Sequence, residues 1–114
     1  MKNTAARKRK QVPEGYLVIG VDPHKKRHAA VAITQDFTTQ VKFKFDNTGE
    51  GLEMMLGRAR AEMVKSCCRG VILAIETGGH YWRNIAYYLD ERGIPFRFIN
   101  QFLPIYLGVD TPVR

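Results

Sequence analysis

The chain has 114 residues, 45% of them hydrophobic and 25% charged, enough for one modest core and too few for two domains. Its net charge of +7 is uneven: Lys2, Arg7, Lys8, Arg9 and Lys10 supply +5 within the first ten residues, leaving +2 for the other 104. No apolar run approaches the roughly 20 residues of a bilayer span, the apolar stretch 17–21 is too short for an export signal, and the adjacent Cys67 and Cys68 form no spaced disulfide framework, so a cytoplasmic, non-membrane protein is expected.

In chain order, residues 1–14 lack apolar periodicity and read as a flexible basic arm, with the domain over 15–114. Lys8, Arg9 and Lys10 are its candidate nucleic-acid contacts; the alternative is a solvated tail. Tyr16-Leu-Val-Ile-Gly-Val-Asp22 is a continuous apolar run, the pattern of a strand covered on both faces. Pro23-His-Lys-Lys-Arg27 turns the chain into a second strand, His28–Thr34, its hairpin partner. Gln40–Asp46 alternates strictly, with Val41, Phe43 and Phe45 on one face and Lys42 and Lys44 on the other, as in an edge strand guarded by lysines. Asn47-Thr48 then opens a helix, with Glu50 three residues after Asn47 as the partner of a capping box. Leu52, Met55, Leu56, Ala59 and Met63 form its apolar face, and Arg58, Arg60, Glu62 and Lys65 the polar one. Val71–Ile75 is another buried strand ending at Glu76. Thr77-Gly-Gly79 leads to a second helix, opened by Tyr81 and Trp82, with Trp82, Ile85, Ala86 and Leu89 inward and Gly93 as its C-terminal cap. Phe96–Ile99 is a short fifth strand, and residues 100–114 contain no clear element. The order β-β-β-α-β-α-β predicts an α/β fold, a mixed sheet with helices packed on it.

Two carboxylates stand out by position. Asp22 ends the first strand and Glu76 the fourth. If those strands are parallel neighbours, both acids emerge at adjacent carboxyl ends, where open α/β sheets place ligands. Like charges so close call for a cation between them, and hard divalent ions such as Mg²⁺ or Mn²⁺ prefer oxygen donors. Acids on the first and fourth strands of this element order form the ribonuclease H-like pattern.

Val18-Ile-Gly-Val-Asp-Pro-His-Lys25 resembles the opening of the DEDD-type insertion-sequence transposases of the family numbered one-ten. Ala74-Ile-Glu-Thr-Gly-Gly-His-Tyr-Trp82 is similar to that family's second motif, and Ala86-Tyr-Tyr-Leu, Gly93-Ile-Pro-Phe and Ile99-Asn100 continue the match over roughly 17–100. The resemblance implies a ribonuclease H-like, RuvC-like nuclease domain acting on DNA in transposition. Asp22 and Glu76 would be the catalytic and metal-binding first two of four acids. It further implies a structured guide RNA and assembly into homo-oligomers. The family's other two acids, in a Lys-Thr-Asp-x-x-Asp segment, and its serine-bearing domain have no counterpart here, and Asp110 in Val-Asp-Thr-Pro does not fit that pattern. The expectation is a front portion lacking the last helical part, binding its ion weakly and inactive alone.

Lys25, Lys26 and Arg27 border the acids and read either as phosphate contacts or as a solvated turn. His24 and His80 follow the acids closely, but Mg²⁺ favours oxygen, so they read as non-ligands. Trp82 reads as core; Tyr81 and Tyr88 stack on bases or pack against a missing segment, the latter preferred. Gly78 and Gly79 either admit an anion at a helix start or merely ease the chain into it. The adjacent cysteines have no metal spacing. A nucleic-acid-binding module using the basic arm without catalysis is the alternative. An actin-like ATPase or sugar kinase shares the sheet, but it needs a glycine-rich phosphate turn, and Pro23–Arg27 contains no glycine.

Overall fold

An apolar tract without alternation needs cover on both sides, and Tyr16–Asp22 finds it as β1, the middle strand of a five-stranded sheet. Leu17, Val18 and Ile19 are at most 2% exposed, and burial of such side chains is worth about 1.5–3 kcal/mol each. The computed structural model describes residues 12–36 and 40–99. Its remaining strands are β2 (Arg27–Ile33), β3 (Gln40–Asp46), β4 (Gly70–Glu76) and β5 (Phe96–Ile99), with helices α1 (Gly49–Lys65) and α2 (Arg83–Glu91). The sheet order is β3-β2-β1-β4-β5. The first three strands form an antiparallel meander, while β1, β4 and β5 run parallel. This is the mixed, ribonuclease H-like α/β sheet that the element order predicts.

The two faces differ. Leu17, Ile19, Val21, Phe45, Leu73 and Ile75 pack with the apolar stripes of the helices, Leu52, Met55, Leu56 and Ala59 from α1 and Ile85, Ala86 and Leu89 from α2. On the other face Val18, Ile72, Ala74 and Ile99 form a smaller cluster with Val12 and Tyr16. Val12 falls within the predicted arm, yet it is 6% exposed there. Gln35 Nε2 donates to the Pro13 carbonyl at 2.8 Å and Arg69 Nε to that of Glu14 at 2.8 Å, so residues 12–14 are tied to the domain. As expected, β3 is an edge strand, with Lys42 and Lys44 exposed and Phe45 buried.

Local structure departs from the sequence reading at three points. Thr48, not Asn47, caps α1, its hydroxyl accepting the Gly51 N–H at 2.9 Å; Asn47 is committed instead to the turn between β1 and β2, donating from Nδ2 to the Lys25 carbonyl at 3.0 Å. Glu62, expected on the polar face, is 4% exposed and lies between Arg58 and Lys65 at 3.3 and 3.9 Å. The second helix begins at Arg83, beyond Tyr81 and Trp82; Trp82 is its N-cap residue without a capping side chain, and its ring is half-buried edge-on to Phe98 at 4.8 Å. Gly93 ends α2 as predicted, at φ +68°, with the Ile94 N–H returning to the Leu89 carbonyl at 3.0 Å.

Candidate metal and catalytic site

The parallel pairing of β1 with β4 places Gly20 beside Ala74 and Val21 beside Ile75, so the next residues, Asp22 and Glu76, leave the sheet together at a strand separation of about 4.8 Å. Alternation puts both on the face away from the helices, where Asp22 stands opposite Ala29 and Glu76 opposite Ile99. Asp22 is 55% exposed at its side chain; Glu76 is half-buried. Burial raises the Glu76 carboxyl to about 7, reinforced by its hydrogen bond with Asp22 and by the Asp22 charge, while His24 acts in the opposite sense. The Glu76 carboxyl therefore keeps its proton until near-neutral pH. His24 Nε2 lies 3.1 Å from Asp22 Oδ2 and caps the outer side of the pair.

From the acids an open groove of about 500 Å³ crosses the same face, over Gly20, Ala29 and Val31, with Lys42 and Lys44 on its rim. Of the predicted phosphate contacts, Lys25 and Lys26 lie exposed in the turn beside Asp22 and make no ion pair among the described residues. Arg27 differs: as the first residue of β2 it binds Asp46 at 3.2 Å. His80 is exposed in the segment after β4, and no group of three or more His, Cys, Asp or Glu residues suited to a metal occurs among the described residues. Gly78 and Gly79 precede the first residue of α2 by five and four positions, so they do not form that helix's N-terminus. Tyr81 is exposed, and Tyr88 packs beneath Arg92, whose guanidinium carbon is 3.7 Å from the ring centre. The arm residues Lys8, Arg9 and Lys10, and Asn100 and Asp110, lie outside the described residues.

Sequence reasoning missed His28. Read only as the start of a strand, it is 0% exposed, packs on the Phe45 ring at 5.0 Å and accepts the His24 backbone N–H at its Nδ1 at 3.0 Å. Burial lowers its pKa below the ordinary imidazole value, against the pull of the Asn47 side chain. A histidine leading an otherwise apolar strand, six residues after a strand-end acid, was the available signal.

No helix among the described residues is long and apolar enough to cross a membrane. No curated protein matches the chain. A family model described as Transposase, that of the IS110 DEDD transposases, matches residues 19–104, from the middle of β1 to just past β5, and so takes in Asp22, Glu76 and most of the sheet. The chain belongs to this DEDD transposase family.

Proposed function

We propose that Asp22 and Glu76 jointly hold a divalent cation, Mg²⁺ or Mn²⁺, and are two of the carboxylates used for phosphodiester cleavage and transfer on DNA in transposition. The observation that carries this reading is their convergence, from positions 54 residues apart, at the adjacent carboxyl ends of two parallel strands. The donor set suits a hard cation: two carboxyl groups, all oxygen, one of them kept protonated to about 7 by the other and by burial. A divalent ion bound there supplies Lewis-acid activation of the attacking water or hydroxyl and stabilises the leaving oxygen.

The remaining chemistry belongs to the chain. Glu76 gives up its proton as the ion is bound, making binding tighter as pH rises through about 7. His24 holds Asp22 Oδ2, restricting the carboxylate's rotation. Lys25 and Lys26, exposed beside the pair, meet backbone phosphates, as do Lys8, Arg9 and Lys10 of the arm. Two carboxylates form only part of a coordination shell. We therefore propose that residues 15–114 belong to a RuvC-like catalytic domain that completes its acid set elsewhere, works with a guide RNA in a homo-oligomer, and neither cuts nor joins DNA as this polypeptide alone.

The test is Mn²⁺ uptake by the 114-residue chain, followed by the electron paramagnetic resonance signal of the free ion, alongside plasmid cleavage. Weak uptake abolished by Asp22→Ala and by Glu76→Gln, without cleavage, is the expected outcome. Uptake indifferent to both substitutions overturns the site, and robust cleavage lost in Asp22→Ala overturns the claim of inactivity. Salt-dependent DNA binding lost on removal of residues 1–11, and indifferent to the acids and to Mg²⁺, favours the non-catalytic binding module instead.

A further inference from the structure

Three buried side-chain polar atoms among the described residues have no hydrogen bond, and two of them, His28 Nε2 and Asn47 Oδ1, lie where β2 and the end of β3 meet behind the turn that follows Asp22. Burying a histidine carries a desolvation cost that a phenylalanine, packed equally well on Phe45, would avoid. What phenylalanine lacks is the acceptor. His28 Nδ1 takes the backbone N–H of His24 at 3.0 Å, so the ring is neutral with its proton on Nε2, on a side chain that Asn47 approaches. Asn47 itself reaches back 22 residues: its Nδ2 donates to the Lys25 carbonyl at 3.0 Å and its backbone N–H to the Lys26 carbonyl at 2.9 Å. Arg27 closes the series on Asp46 at 3.2 Å. Each of residues 24–27 is thus held by one bond to β2 or to the junction between β3 and α1. His24, the residue His28 grips, is the one whose ring lies on Asp22 Oδ2.

We infer that His28 and Asn47 are positioning residues for the acid pair, clamping the turn after β1 so that His24 orients the Asp22 carboxylate. Neither touches Asp22 or Glu76; both act through the turn. The inference rests on reading Asp22 as an ion ligand. Groups that orient a ligating carboxylate tune affinity without contributing to the ligand set, and their loss costs about 10–100-fold in metal affinity. The charges facing His28 are His24, which disfavours its protonation, and Asp22, which favours it; burial outweighs both and keeps Nδ1 free to accept.

The test uses the full chain with ¹⁵N labelling, reading hydrogen exchange of the His24 amide and Mn²⁺ affinity together. His28→Phe, which keeps the packing on Phe45, is expected to expose the His24 amide to exchange and weaken Mn²⁺ about tenfold. His28→Asn, whose side-chain oxygen can take the place of Nδ1, is expected to restore both, a rescue that a purely space-filling role would not show. If His28→Phe does not fold, Asn47→Ala carries the test with the same expected loss. A folded variant with a protected His24 amide and Mn²⁺ affinity within about twofold of the parent overturns the clamp. If the unsubstituted chain takes up no Mn²⁺, the metal reading of the acids fails by itself. The clamp is then judged by the His24 amide and by the Asp22 carboxyl carbon shift, expected to move in His28→Phe and return in His28→Asn.

Discussion

Glu76 ties its titration to folding. Its carboxyl is raised from 4.5 to about 7 in the fold, so between those values the native state binds more protons than the unfolded chain. Stability from this group is complete below the unfolded value and is lost as pH rises toward 7. His28 acts oppositely: its lowered pKa means stability is lost as pH falls below the ordinary imidazole value. Comparison of the parent with Glu76→Gln cancels the histidine contribution. Urea unfolding is expected to show the variant more stable at pH 8, with the gap closing at pH 5; an equal gap at both would show that Glu76 does not titrate in this window. A second strain lies at Cys67, which adopts φ +58° at the end of α1, where the Cys67 and Cys68 N–H groups return to the Val64 and Met63 carbonyls. A left-handed L-residue costs about 1–2 kcal/mol, partly offset by the greater unfolded-state freedom of glycine. Cys67→Gly is expected to stabilise by about 0.5–1 kcal/mol in the same assay.

The start of α1 couples a helix cap to the candidate site. Thr48 supplies the N-terminal side-chain cap bond of that helix, and Thr48→Ala is expected to cost about 1 kcal/mol. Gly51, in the first turn, lies against the Asp46 backbone so closely that an added Cβ would overlap the Asp46 carbonyl oxygen. Backbone cannot rotate away as a side chain can, so Gly51→Ala must push α1 off β3, at about 1–3 kcal/mol. Because Asp46 and Asn47 anchor the turn after Asp22, that variant is also expected to weaken Mn²⁺ uptake, whereas Thr48→Ala is not. The elements themselves were largely legible: unbroken apolar runs marked β1 and β4, strict alternation marked β3, and three-four spacing marked α1. Boundaries were less so. Asn47 looks like a cap in sequence, but its side chain is drawn to the Lys25 carbonyl by a hairpin 22 residues earlier. Glu62 looks solvent-facing on a helical wheel, but the flanking Arg58 and Lys65 let it lie buried with its charge matched.

At the level of the whole molecule, the proposed ion site would link binding to folding, since Asp22 and Glu76 come together only in the assembled sheet. Millimolar Mg²⁺ is expected to raise the melting temperature at pH 8, where Glu76 is ionised, and to do little at pH 5, where it is protonated. Asp22→Asn is expected to abolish the effect. A shift of equal size at both pH values, or one retained in Asp22→Asn, would place the ion elsewhere. The family match over residues 19–104 embraces the strands that carry both acids, from β1 past β5.

Hydrophobic patterning was enough to establish the class of fold, because strand and helix periods are local and each apolar run demands cover. The Glu-Thr-Gly-Gly-His-Tyr-Trp block, in the same way, was enough to point to the family. Strand-end positions nominated Asp22 and Glu76, but their meeting depended on β1 pairing parallel with β4 in a register that no local pattern encodes. The raised Glu76 carboxyl follows from that meeting and from burial. The roles of His28 and Asn47 were invisible for the same reason: each is defined by a backbone group of a turn that only chain folding carries to it, and hydrogen bonds, unlike apolar stripes, leave no period behind.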